Sequence, residues 1–103
     1  MVIPLLKARI DIMACDQTGS GKTLAFLIPV LDTMIKKGPP EIKDMRRTIS
    51  YPVCLIIVPT RELAEQVFFE LRKLIHNTGI LACKLTGGSD MRPQITYFFP
   101  NFK

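Results

Sequence analysis

Histidine is nearly absent from this sequence: His76 stands alone, and the three cysteines, Cys15, Cys54 and Cys83, lie far apart. They form no cluster with ligand spacing, which argues against a metal centre built from protein side chains. Each cysteine falls in a predicted strand and reads as a small buried apolar residue of a reducing compartment. Long apolar runs are missing too, and the longest, Leu24 to Leu31, is far short of a membrane span. Residues 1–15 carry Lys7, Arg9 and Asp11 among the apolar positions and do not resemble a secretory leader. The expectation is a soluble intracellular protein, cytoplasmic or nuclear. Acidic residues are scarce, 9 against 14 basic ones, and the net charge of +5 suits a polyanionic partner as well as a solvated surface. At 103 residues the chain is one domain at most, and 48% hydrophobic content excludes disorder over most of its length.

What is present is organised around Thr18-Gly19-Ser20-Gly21-Lys22-Thr23. The apolar stretch Asp11-Ile12-Met13-Ala14-Cys15 before it reads as a short strand, and Leu24-Ala25-Phe26-Leu27-Ile28 after it as the opening of a helix. A glycine-rich turn between strand and helix leaves successive backbone N–H groups unpaired and aimed one way, a cradle for phosphate oxygens. Gly19 and Gly21 let that backbone approach a ligand where a Cβ would obstruct. Lys22 reaches β- and γ-phosphates as a point charge, and the Thr23 hydroxyl is placed to ligate Mg²⁺. The pattern G-x-x-x-x-G-K-[ST] is met except at its first position, which is Asp16. The competing reading is a chance glycine-rich loop, and the flanking strand and helix weigh against it.

The first long helix is predicted from Lys22 to Lys37, ending at Gly38 with Pro39 and Pro40 blocking continuation. Its first half is apolar almost all round and is expected to be buried on most sides, with Pro29 a tolerated bend. Residues 38–52, with Arg46-Arg47, read as a long polar loop and a solvated insertion. Val53 to Val58 is a continuous β-branched run, the pattern of a strand buried on both faces of a parallel sheet. A second helix is predicted from Arg61 to His76, capped by Thr60, with Leu63, Ala64, Val67, Phe68, Leu71, Leu74 and Ile75 on one stripe. His76 is then a helix-end residue, and Gly79 closes the turn. Ile80 to Leu85 reads as a third strand ending at Thr86-Gly87-Gly88, and Ser89 to Lys103 weakly as helix. Alternating strands and helices imply right-handed crossovers and an α/β sheet. Ligands bind such sheets beyond the carboxyl ends of the strands, so the phosphate loop, Thr60-Arg61 and Gly87-Gly88 are expected on one rim.

In this order and spacing, the stretch from Asp11 to Thr23, then Pro59-Thr60-Arg61-Glu62-Leu63-Ala64, then Gly87-Gly88, resembles the opening motif series of the DEAD-box RNA helicases. Ile3-Pro4 and Gln94 are also similar to that family, and the resemblance covers about Ile3 to Gln94. It implies a P-loop NTPase fold of the RecA-like kind, a parallel sheet flanked by helices. Residues 1–94 would be the N-terminal part of an ATP-binding domain and 95–103 a divergent tail. It implies further that Thr18, Gly19, Ser20, Gly21, Lys22 and Thr23 bind ATP with Mg²⁺, Lys22 and Thr23 serving catalysis and Thr23 the metal. Thr60, Arg61, Gly87 and Gly88 would hold an RNA sugar–phosphate backbone. Such contacts carry no base code and make binding sequence-independent and salt-sensitive.

The departures from the family pattern set further expectations. The Asp-Glu-Ala-Asp run, the Ser-Ala-Thr motif and the second domain with its arginine finger are not in these 103 residues, nor is the upstream adenine-reading glutamine. Asp16 puts a carboxylate beside the phosphates. The expectation is a helicase fragment that binds weakly and does not turn over ATP alone. Two alternatives stay open: a non-catalytic RNA-binding or competitor module, and a small P-loop kinase. Open strand edges and an uncovered apolar tail predict poor solubility.

Overall fold

A computed structural model describes Ala8 and residues 10–15, 22–38 and 52–98. The phosphate loop with Asp16 and Thr18 to Gly21, the segment before Lys7, the loop bearing Arg46-Arg47 and the tail from Phe99 lie outside the described residues.

Among the described residues three helices carry the fold: α1 (Lys22–Lys37), α2 (Arg61–Ile75) and α3 (Met91–Phe98). Helix α1 has the predicted bounds and runs through Pro29, where the lost N–H is accompanied by a Thr33 Oγ1 bond to the Pro29 carbonyl at 2.8 Å. Gly38 ends it in the left-handed region, φ +70°, donating its N–H to the Met34 carbonyl at 3.1 Å. Lys36 and Lys37 complement the negative end of the helix dipole, and Lys36 also pairs with Asp32 at 3.0 Å.

Helix α2 starts where the sequence places it. The Thr60 hydroxyl accepts from the Leu63 N–H at 3.2 Å, and Thr60 itself is extended. At the other end His76 is the cap residue, and the chain turns left-handed at Asn77, φ +61°, before Gly79. Thr78 holds that turn, its N–H and Oγ1 both donating to the Ile75 carbonyl, at 3.0 and 2.6 Å. The apolar stripe is the covered side: Val67 is buried and Leu63, Ala64, Phe68, Leu71, Leu74 and Ile75 are half-buried, while Glu62, Glu65, Gln66, Arg72 and Lys73 face water. That stripe packs against α1, and Leu27, Leu31 and Val67 form the buried apolar core of the described residues, with Pro29 enclosed beside them. Helix α1 is less enclosed than its composition suggests, since Leu24 and Ile28 are about two-fifths exposed, at 39% and 41%.

The expected parallel sheet is not formed among the described residues: 10–15, 52–60 and 79–86 follow one another without a strand ladder. A strand exists through its hydrogen bonds to a neighbour, and in a parallel sheet that neighbour comes from across a crossover, not from the adjoining sequence. Residues suited to a doubly covered strand therefore remain open on one side, Leu55 at 78% and Ile57 at 83% exposed, while Ile56 and Val58 are half-buried. The cysteines depart from expectation for the same reason. Cys15 and Cys54 are exposed and only Cys83 is half-buried. The third run is tied to α2 by Lys84, which pairs with Glu65 and lies 5.9 Å from the Phe68 ring centroid.

Candidate functional site

The N-terminus of α1 begins with Lys22 and Thr23 and has no acidic residue in its first turn. A cation at the positive end of a helix dipole is electrostatically unfavourable, and an anion seated there reverses the balance. Lys22 is exposed and Thr23 half-buried, so an ammonium and a hydroxyl stand at a helix end whose first N–H groups lack intrahelical partners. This donor set fits the phosphates and Mg²⁺ of a nucleotide.

The start of α2 forms a second cluster. Thr60 is engaged as cap, and Arg61, the first helical residue, is exposed. Its guanidinium lies against the backbone of Gly88, 27 residues along the chain. An ideal Cβ built on Gly88 would fall 2.9 Å from Arg61 Cζ and 3.1 Å from Nη1, and closer still to Nη2. Gly88 is also left-handed, φ +73°. The left-handed backbone angle therefore favours glycine at this position, and the Arg61 guanidinium occupies the space where a side chain would start. Gly87 differs, because nothing lies within 4 Å of where its Cβ would be. Thus Thr60-Arg61 and the distant Gly88 meet as a cation beside a bare peptide and a helix N-terminus.

The family model described as DEAD/DEAH box helicase matches residues 1–100. The chain belongs to the DEAD/DEAH box helicase family. Its function is accordingly helicase-related and ATP-dependent, and the matched span takes in both clusters just described.

One member of the second cluster was not legible as such. Gln94, on the first turns of α3, accepts from the Thr86 N–H at 2.8 Å through Oε1. Its Nε2 donates to the carbonyls of Thr86 and Asp90, at 3.2 and 3.1 Å, and to Ser89 Oγ at 3.2 Å. The sequence signals Gln94 only through its place after the double glycine and says nothing of this role. Elsewhere, no group of three His, Cys, Asp or Glu among the described residues could hold a metal ion, and none of their helices is long and apolar enough to cross a membrane.

Proposed function

We propose that the chain binds ATP–Mg²⁺ through Thr18, Gly19, Ser20, Gly21, Lys22 and Thr23. In the same reading Thr60, Arg61, Gly87 and Gly88 bind the sugar–phosphate backbone of single-stranded RNA, and residues 1–94 are part of a RecA-like ATP-binding domain whose strands are the three apolar runs. The observation that carries the RNA half is the seating of Arg61 on Gly88, which puts a cation beside backbone bare enough for a ribose–phosphate chain to lie on. The ATP half is supported by Lys22 and Thr23 at the start of α1 and by family membership.

Turnover requires a metal-binding carboxylate, a water-positioning residue and a trans arginine acting together. The Asp-Glu-Ala-Asp run that would supply the first is not in this sequence. These 103 residues are therefore proposed to bind both ligands without hydrolysing ATP. Equilibrium titration with a fluorescent ATP analogue and Mg²⁺, and with a labelled ten-nucleotide poly(U), tests this. Lys22→Ala is expected to abolish nucleotide binding, and Arg61→Ala to weaken RNA at every salt concentration. Loss of one phosphate contact should reduce the slope of log K against log salt by about 0.7. ATPase activity that disappears in Lys22→Ala would overturn the inactive-fragment reading. An unchanged RNA affinity in Arg61→Ala would overturn the RNA site.

A further inference from the structure

The geometry points to Gln94 as a positioning residue that holds the Gly87-Gly88 turn in the one shape that seats Arg61. The inference rests on the RNA reading of that turn and adds a residue to it. Between Thr86 and Asp90 the chain reverses over two glycines, where backbone entropy is highest and the turn has least reason to keep one form. Its own side chains help: the Thr86 and Ser89 hydroxyls lie 2.9 Å apart and Ser89 Oγ donates to the Thr86 carbonyl at 3.1 Å. Both contacts close the turn on itself, and neither ties it to another element.

Gln94 supplies the attachment. Its primary amide takes the N–H of Thr86 and returns a donor to the carbonyl of the same residue, as a neighbouring strand would. Both Thr86 bonds are part-buried, where an unmade bond is costly. Because the N–H of Thr86 needs an acceptor, the amide is held in one orientation, and Nε2 then faces three acceptors with two hydrogens. Helix α3 makes this anchor rigid at its own first turn. Asp90 Oδ1 accepts from the Arg92 N–H at 3.0 Å, and Pro93 falls where a helix has no intrahelical use for an N–H. The path from α3 to the candidate RNA site is therefore short: Gln94 fixes Thr86, Thr86 and Ser89 fix the turn, and Gly88 in that turn receives the Arg61 guanidinium.

The consequence is preorganisation. RNA met by an anchored turn does not have to order it, and removing the anchor shifts that ordering cost onto binding. The test uses the full chain, labelled poly(U) ten-mer, a fluorescent ATP analogue, and amide exchange read by NMR without RNA. Gln94→Ala is expected to weaken RNA by about 3- to 10-fold, the cost of ordering a segment on binding. The salt slope should stay as in the parent chain, because the phosphate contacts are the same ones. Nucleotide affinity should not move, and Thr86 amide exchange should accelerate. Gln94→Met keeps the length of the side chain, adds no charge and gives up the bonds to Thr86; it should weaken RNA as the alanine variant does and serves as the probe should that variant not fold. Unchanged RNA affinity in Gln94→Ala, with Arg61→Ala weakened, overturns the inference and leaves the RNA site standing. Parallel loss of RNA and nucleotide binding overturns it too, by reducing Gln94 to a general structural residue. If Arg61→Ala and Gln94→Ala are both silent, the RNA site itself is wrong.

Discussion

At the scale of single residues, the sharpest constraint falls on Gly88. A methyl group there would press on the Arg61 guanidinium and occupy a left-handed backbone. The guanidinium is the far end of a flexible side chain and gives way easily. The backbone does not, and Gly88→Ala is expected to cost about 1–2 kcal/mol of stability. Gly87→Ala meets open space and should be nearly silent in folding. Thermal melts of the two variants, compared with their RNA affinities, separate the roles: Gly88→Ala lowers both, Gly87→Ala only the second. Equal stability of the two variants would remove the conformational argument. Cys83 gives a residue-scale prediction of another kind. Burial disfavours its thiolate and pushes its pKa above the ordinary thiol value. Since the thiolate is the nucleophile, alkylation of Cys83 should rise at higher pH in the folded chain than in urea. Coincident folded and unfolded pH–rate profiles would contradict that burial.

Among the elements, the helices were legible because their signals are local. The residues at Thr60, Gly38 and Lys22–Lys37 act through bonds within four positions, and the structure realises each of them. Thr60 combines two duties, cap and candidate RNA contact, and substitution separates them. Thr60→Ala should destabilise α2 by about 1 kcal/mol, whereas Thr60→Ser keeps the hydroxyl and the cap. Helicity and melting temperature read this directly. A melting temperature for Thr60→Ala equal to that of the parent chain would mean the 3.2 Å bond to Leu63 contributes nothing. Helix α3 was legible only weakly, because its hold on the chain lies in the amide of Gln94, a contact that composition and periodicity do not register.

For the molecule as a whole, the dominant feature is apolar surface left open. Met13 is 93% exposed and Leu81 90%, alongside Leu55 and Ile57. Side chains of this kind normally pack inside a sheet covered on both faces, and exposed together they mark a surface that seeks a partner. The chain at these 103 residues is expected to self-associate at micromolar concentration and to bind a hydrophobic dye while folded. Replacing Leu55 and Ile57 together by Lys and Thr should suppress both signals, with little loss of helix. Sedimentation measures the first and dye fluorescence the second. A parent chain that stays monomeric and dye-negative would refute the open-surface argument.

Residue order alone set where α1 and α2 begin and end, which stripe of α2 faces inward, and the family to which the chain belongs. These rest on neighbours along the chain or on motifs with fixed spacing. The sequence put Thr60-Arg61 and Gly87-Gly88 on one rim, but only the folded chain shows that Arg61 meets Gly88, that Gln94 grips Thr86, and that the apolar runs stand open with no ladder among the described residues. Such facts depend on which distant segments come together, and hydrogen bonds across a turn or between strands leave no period in the amino-acid order.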